Sequence, residues 1–204
     1  EVASGNVILA FDKWFKEQFM APGAEWTGES IRNSWEDIIY SMNQKIKEYG
    51  ASQGVEMGTT ITAVLFLKDK YYAIHVGDSR LYELSDGCRQ ITEDQTLIAR
   101  ELAQGIITKE QALTDSRRNV LLQCIGVTQK LLPAFYSGNI NGEAAYLVCS
   151  DGFRHVITPD EIYQLCRPLQ NLTQKVMQVN LTSLVERVKQ RGERDNISAV
   201  LIQV

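Results

Sequence analysis

The sequence predicts an α+β fold in which helices are layered on antiparallel sheet, and three observations support this prediction. Apolar residues recur at helical spacing through the first quarter of the chain. Stretches rich in Val, Ile, Thr and aromatic residues follow, and further helical segments then alternate with strands. With 204 residues, 44% hydrophobic and 23% charged, the chain has the composition of one ordinary globular domain, which we assign to residues 1–204.

Two helices are predicted at the start of the chain. The first covers residues 2–20 and ends at Pro22-Gly23, a pair that breaks helices. The second covers residues 30–49, with Gly50 as its C-terminal cap. Each helix carries an apolar stripe that we assign to the core, made of Val7, Phe11, Trp14, Phe15 and Phe19 in the first and of Ile31, Trp35, Ile38, Ile39, Met42 and Ile46 in the second.

The middle of the chain predicts three or four antiparallel strands. Residues 60–67 and 71–76 are rich in β-branched and aromatic residues, and the short polar connection between them is typical of a β-hairpin. Residues 81–84 continue the sheet, and a turn at 85–87 leads into a short strand at 89–91.

Two short helices are predicted next. Asp94 is a candidate N-cap of a helix that runs to about Gln104 and ends at Gly105. Thr108 and Gln111 have the spacing of a capping box, which predicts a second short helix.

The last part of the chain predicts strands separated by helices. Strands are expected at 131–136 and 144–149 with a turn at Asn141-Gly142, and the second of them is apolar almost throughout, which favours a central position in its sheet. Pro159 starts a short helix, and residues 197–204 form the final strand. A long helix between them is marked by Leu172, Val176, Leu181, Leu184, Val185 and Val188.

Composition and charge exclude several classes of partner. The formal net charge is −4 and there is no lysine or arginine tract, so we expect no nucleic-acid partner. No apolar run approaches the length that crosses a bilayer and no basic leader is present, so we expect no membrane partner and a cytoplasmic location. The four cysteines form no C-x-x-C pair, which favours reduced core thiols over a zinc site or a catalytic thiol.

Two acidic motifs lie at the ends of predicted strands. Ser150-Asp151-Gly152 follows an apolar strand, and its glycine permits a sharp turn and the close approach of another group. Asp195-Asn196 precedes the final strand. Converging strand ends fix carboxylates as oxygen ligands for Mg²⁺ or Mn²⁺, so both aspartates are candidate metal ligands. The alternatives are that Asp151 only begins a turn and that Asp195 only lies in a polar loop.

A third motif, Gly77-Asp78-Ser79-Arg80, stands between two predicted strands. In one interpretation it is a hairpin turn in which Asp78 and Arg80 satisfy each other and the backbone. In the other, Asp78 supports a metal-bound water or ligand from behind.

Together with Gly58-Thr59-Thr60, these motifs resemble, in kind and in order, those of the metal-dependent protein phosphatases, the PPM or type 2C family, in its bacterial form. The resemblance implies a two-layer antiparallel β-sandwich with a helix pair on each outer face, and hydrolysis of phosphoserine and phosphothreonine in proteins. It implies that Asp151 and Asp195 bind two ions of Mn²⁺ or Mg²⁺. It also implies that Asp94 helps to bind a third ion, a role compatible with helix capping.

The same resemblance implies that part of the family pattern lies before residue 1. The opening Glu1-Val2-Ala3-Ser4 resembles the segment after the family's Asp-Gly-x-Gly-Gly motif, and the chain does not begin with Met. We therefore expect the metal-bridging carboxylate, the arginine that holds the substrate phosphate and the first strands upstream, so the catalytic residues stay unassigned. For the complete site, the resemblance implies that a metal-activated water would attack the phosphorus in line.

The resemblance also covers a mobile flap, which we place at residues 105–117, and it implies phosphorylated proteins as substrates and a Ser/Thr kinase as a partner. Two alternatives stay open. One is a catalytically inactive phosphatase-like module that regulates or binds phosphoproteins, and the other is an unrelated α+β hydrolase with chance matches.

The two histidines have different expected roles. His75 lies within a predicted strand and is interpreted as a packed core residue. His155 stands where many family members have an acidic residue. It is either a surface histidine or a nitrogen ligand that shifts metal preference away from Mg²⁺.

Overall fold

The computed structural model describes residues 2–140, 142–168 and 173–204. In chain order the elements are α1 (Val2–Trp14), α2 (Gly28–Gln53), β1 (Ile61–Leu67), β2 (Lys70–Val76), β3 (Arg80–Leu84), β4 (Cys88–Gln90), α3 (Leu97–Ala103), α4 (Lys109–Thr114), β5 (Ala134–Asn139), β6 (Ala145–Cys149), α5 (Asp151–Arg154), α6 (Pro159–Cys166), α7 (Gln174–Gln190) and β7 (Ala199–Gln203). The predicted α+β class is confirmed. Asn141 and Leu172, predicted in a turn and in the long helix, lie outside the described residues.

The chain divides into two units. The first comprises Glu1–Leu67, Tyr71–Gly77 and Gln95–Ser137, and the second comprises Lys68–Lys70, Asp78–Asp94 and Gly138–Val204. No helix within the described residues combines the length and apolar character needed to cross a membrane.

The first unit contains the two long N-terminal helices. A turn of π-helix at Phe15–Phe19 continues α1. The hydroxyl of Thr27 caps α2, and the helix ends at Gly54, which has a left-handed φ of +66°. The prediction that Gly50 ends this helix is wrong. Gly50 lies within α2, where a Cβ would stand 2.7 Å from the carbonyl oxygen of Val55, so the absence of a side chain permits the close approach of the returning chain.

The core of the first unit lies between these helices and a three-stranded sheet of order β1-β2-β5. Its centre is aromatic: the ring of Trp14 lies 5.2 Å from that of Trp26 and 5.6 Å from that of Trp35, both edge-on. His75 is fully buried in β2, with Nδ1 2.9 Å from the Thr62 hydroxyl, as its core interpretation requires.

The start of α3 corrects one prediction. Thr96 is the N-cap, and its hydroxyl accepts the Ala99 N–H at 3.1 Å, so the capping role assigned to Asp94 is wrong. Gly105 follows the helix with a φ of +69°, as its predicted stop position requires. The capping box of Thr108 and Gln111 on α4 is confirmed.

The second unit is built on a four-stranded antiparallel sheet of order β4-β3-β6-β7. The apolar strand β6 is internal, as predicted, and its Leu147 pairs with Tyr82 on one side and Leu201 on the other. Helices α5, α6 and α7 bury Phe153 and Leu184 against this sheet. The position of β6 matters for function because its end carries the Ser-Asp-Gly motif.

Candidate metal centre

Asp151 stands at the end of the central strand of the second unit. Strand β6 ends at Cys149, and Asp151 is the first residue of α5. Its Oδ1 accepts the backbone N–H of Gly152 at 2.8 Å, and its side chain is 25% exposed. The Asp151 carboxylate is therefore held by the backbone N–H of the next residue and still reaches solvent.

The Asp195-Asn196 motif lies directly beside the Ser-Asp-Gly turn. Strands β6 and β7 are antiparallel neighbours, with Cys149 opposite Ala199, so the end of one and the beginning of the other share an edge. The Ser150 hydroxyl donates to the Asn196 carbonyl at 3.1 Å. A Cβ added to Gly152 would stand 3.2 Å from the Cβ of Asp195. The structure thus brings the two predicted motifs together.

A glutamate that the sequence analysis did not single out ties these segments further. Glu193 Oε1 accepts the backbone N–H groups of Arg194 at 2.8 Å and Asp195 at 2.9 Å, and its Oε2 lies 3.1 Å from His155 Nδ1. The backbone N–H of Asp195, aided by Arg194 and His155, holds the pKa of Glu193 below its ordinary value. Glu193 therefore joins the loop of Asp195 to the helix of Asp151.

His155 is not the surface histidine of one interpretation. Its side chain is only 11% exposed, and its Nε2 lies 3.8 Å from Asp151 Oδ2 while its Nδ1 faces Glu193. The sequence held no signal for the contact between His155 and Glu193, because the two residues are 38 positions apart along the chain.

Two arginines converge on Asp94. Arg80 donates to both carboxylate oxygens of Asp94 at 2.7 Å and to the Tyr82 hydroxyl at 2.9 Å. Arg154 Nη2 lies 3.1 Å from Asp94 Oδ2 and donates to the Asp78 carbonyl at 3.2 Å. The interpretation in which Asp78 and Arg80 satisfy each other is wrong, because β3 and the loop after β4 place Arg80 against Asp94 instead.

Asp78 is a largely buried carboxyl that feels the charge of Asp151. Burial, and then the charges of Asp151 and Asp94, raise the pKa of Asp78 above its ordinary value, although Arg154 opposes this effect. The side chain of Asp78 is 13% exposed.

The donor set fits a divalent cation in its chemistry. Asp151 and Asp195 offer hard carboxylate oxygens at adjoining strand ends, as Mg²⁺ and Mn²⁺ prefer. Among the described residues, no group of three or more His, Cys, Asp or Glu side chains is arranged to hold a metal ion. Two aspartates alone can supply only part of a coordination shell. Asp94 differs from them, since both its oxygens accept hydrogen bonds from guanidinium groups.

Known serine/threonine phosphatases are similar to this chain in sequence and in fold. No protein-family model matches the sequence. The chain is 29% identical over 206 residues to the serine/threonine phosphatase stp of Listeria innocua, covering 100% of this chain and 78% of that protein. It has the fold of the serine/threonine phosphatase Stp1 from Staphylococcus aureus, with a TM-score of 0.87 at 23% identity over 100% of this chain and 78% of that one.

A third relative was solved with metal. The catalytic domain of the serine/threonine protein phosphatase PstP in complex with two manganese ions has a TM-score of 0.79 and 26% identity, covering 100% of this chain and 81% of that one. Along its whole length the chain is therefore similar in sequence and fold to bacterial serine/threonine phosphatases, as its resemblance to the PPM or type 2C family predicts.

Proposed function

We propose that this protein hydrolyses phosphoserine and phosphothreonine in other proteins, with Asp151 and Asp195 as ligands of Mn²⁺ or Mg²⁺. The observation that carries the proposal is the meeting of the two aspartate-bearing segments at one edge of the β6–β7 pair. Kinship with serine/threonine phosphatases along the whole chain supports the same reaction and does not favour the inactive regulatory alternative.

The residues of the site have separable tasks. A divalent cation bound at such a site lowers the pKa of a coordinated water and balances charge on phosphoryl oxygens. Asp151 and Asp195 hold that cation. Gly152 lets the two segments approach, and Glu193 orients the backbone of Asp195.

The role of Asp94 as a ligand of a third ion stays a prediction. In the structure its carboxylate is bound by Arg80 and Arg154, so a cation there has to displace at least one guanidinium. The centre that the geometry supports best therefore depends on Asp151 and Asp195.

We infer the remaining properties from the family. The substrates are phosphorylated proteins, a Ser/Thr kinase is the partner that produces them, and the reaction takes place in the cytoplasm. Residues 1–204 form one phosphatase-like domain. Residues 105–117, which contain α4, serve as the flap.

The test is Mn²⁺-dependent hydrolysis of a phosphothreonine peptide by the full-length protein and its Asp151→Asn variant. Loss of an orienting partner alone costs about 10- to 100-fold in metalloenzymes, so we expect loss of this ligand to cost about a hundredfold or more. Asp86→Asn, at an exposed turn in the same unit, is the matched control and should keep full activity. A well-folded full-length protein that hydrolyses nothing, or an Asp151→Asn variant as active as the control, contradicts the proposal.

A further inference from the structure

We propose that Arg154 is a positioning residue whose guanidinium takes the place of an exchangeable cation beside Asp78 and Asp94. This inference rests on the proposed metal-dependent function and assigns a limit to it. Arg80 and Arg154 neutralise the carboxylates of Asp78 and Asp94. Divalent cations therefore bind only beside Asp151 and Asp195.

The position of Arg154 is the first observation. It is the last residue of α5, the short helix that begins with Asp151, and its side chain is only 13% exposed. Its Nη2 lies 3.1 Å from Asp94 Oδ2 and 3.8 Å from Asp78 Oδ2, and donates to the Asp78 carbonyl at 3.2 Å. One positively charged nitrogen therefore stands between two carboxylates, as a bound cation does.

The saturation of Asp94 is the second observation. Its Oδ1 accepts from Arg80 Nε at 2.7 Å and lies 3.4 Å from Gln90 Nε2, and its Oδ2 faces Arg80 Nη2 at 2.7 Å as well as Arg154. The side chain of Asp94 is 11% exposed. The carboxylate of Asp94 therefore has little lone-pair capacity left for a metal.

The third observation is that part of the Arg154 guanidinium makes no hydrogen bond to the described residues. Its Nε is buried without a hydrogen-bond partner among the described residues, so the fork of the guanidinium is not engaged as a whole. All the ionic contacts named above come from Nη2. The geometry therefore resembles a single charged nitrogen between two carboxylates more than a bidentate pair.

Charge balance gives the consequence. Asp78 and Asp94 carry two negative charges, which Arg80 and Arg154 balance. Removal of Arg154 leaves one buried carboxylate uncompensated next to Asp151, and such a group either takes up a proton or gains a counter-ion. At neutral pH in excess Mn²⁺, we expect the counter-ion to be a further divalent cation.

The experiment measures Mn²⁺ binding by isothermal titration calorimetry, with free Mn²⁺ followed by electron paramagnetic resonance, in the full-length protein. Arg154→Met removes the charge and keeps an apolar stem, while Arg154→Lys returns a single charged nitrogen. We expect Arg154→Met to bind one more Mn²⁺ per chain than the native protein, and Arg154→Lys to restore the native stoichiometry. Equal stoichiometry and affinity in the native and Arg154→Met proteins, both shown to be folded by circular dichroism, overturns the proposal.

Asp94→Asn gives a second test that does not depend on the stability of the Arg154 variants. If Asp94 is committed to the arginines, this nearly isosteric change leaves the number of bound Mn²⁺ ions unchanged, and loss of one ion overturns the proposal. The hydrolysis assay distinguishes failure of the proposed function from failure of this inference. A native protein that binds Mn²⁺ but hydrolyses no phosphopeptide contradicts the proposed function alone, whereas equal Mn²⁺ binding by an active native enzyme and Arg154→Met contradicts this inference alone.

Discussion

A single methyl group at Gly152 should separate the two carboxylate-bearing segments of the candidate metal centre. A Cβ at this position would stand 2.5 Å from the carbonyl oxygen of Asn196 and 3.2 Å from the Cβ of Asp195. Contacts of a Cβ below 3.0 Å essentially do not occur, so in Gly152→Ala one segment has to move by about half an ångström. The atoms in the way belong to the backbone and to the base of a side chain, which cannot rotate aside.

The size of the effect follows from that displacement. A misplacement of 1 Å in an active site costs about a hundredfold in rate, so half that distance should lower kcat/KM about tenfold. Overpacking costs about 1–3 kcal/mol of stability. Because alanine is better than glycine in the helix α5 by about 1 kcal/mol, the net change in stability is smaller and the kinetic result is the more decisive one.

The assay is Mn²⁺-dependent hydrolysis of a phosphothreonine peptide, with kcat/KM measured as a function of Mn²⁺ concentration. Gly87→Ala is the matched control, because a Cβ there has no described atom within 4 Å and the backbone φ lies outside the left-handed region. We expect full activity from the control and a loss of about tenfold from Gly152→Ala. If both variants hydrolyse the peptide equally well at every Mn²⁺ concentration, the close approach of these segments is not what builds the centre.

Two further predictions address the loop of Asp195 and the core beneath the site. Glu193→Ala removes the acceptor of two backbone N–H groups, so we expect the Mn²⁺ affinity measured by calorimetry to fall about 10- to 100-fold. Glu186→Ala, on the exposed face of α7, is the control and should bind Mn²⁺ as the native protein does. Equal Mn²⁺ affinities of the two variants contradict this prediction. Burial raises the pKa of Tyr82 and of Cys149 to about 12 each, so both stay neutral in the folded state while the unfolded chain ionises near the ordinary values of 10.0 and 9.0. The stability that these two neutral groups contribute is complete below the pKa values of the unfolded chain and declines as pH rises toward 12. Urea unfolding at neutral and alkaline pH measures this change. An unfolding free energy that stays constant over this pH range contradicts the prediction.

Local signals explain why most elements were predictable. The strand β6 is nearly all apolar, and only an internal strand buries both faces, so its central place followed from composition alone. Thr108 and Gln111 carried the α4 capping box within four residues of chain. The end of α2 was misplaced because Gly50 and Gly54 are both possible stops in the sequence, and only the structure shows that Gly54 is the one with a left-handed φ.

The sequence by itself determined the fold class, the resemblance to the phosphatase family and the place of one aspartate after β6 and another before β7, because each rests on residue type and order along the chain. Only the tertiary structure decided which other side chains meet around those aspartates. Arg154 reaches Asp78 across 76 residues and His155 reaches Glu193 across 38, and such pairs leave no local periodicity. Asp94 shows the difference most clearly: its sequence context suits a helix cap, and the arginines that fold around it give it another partner.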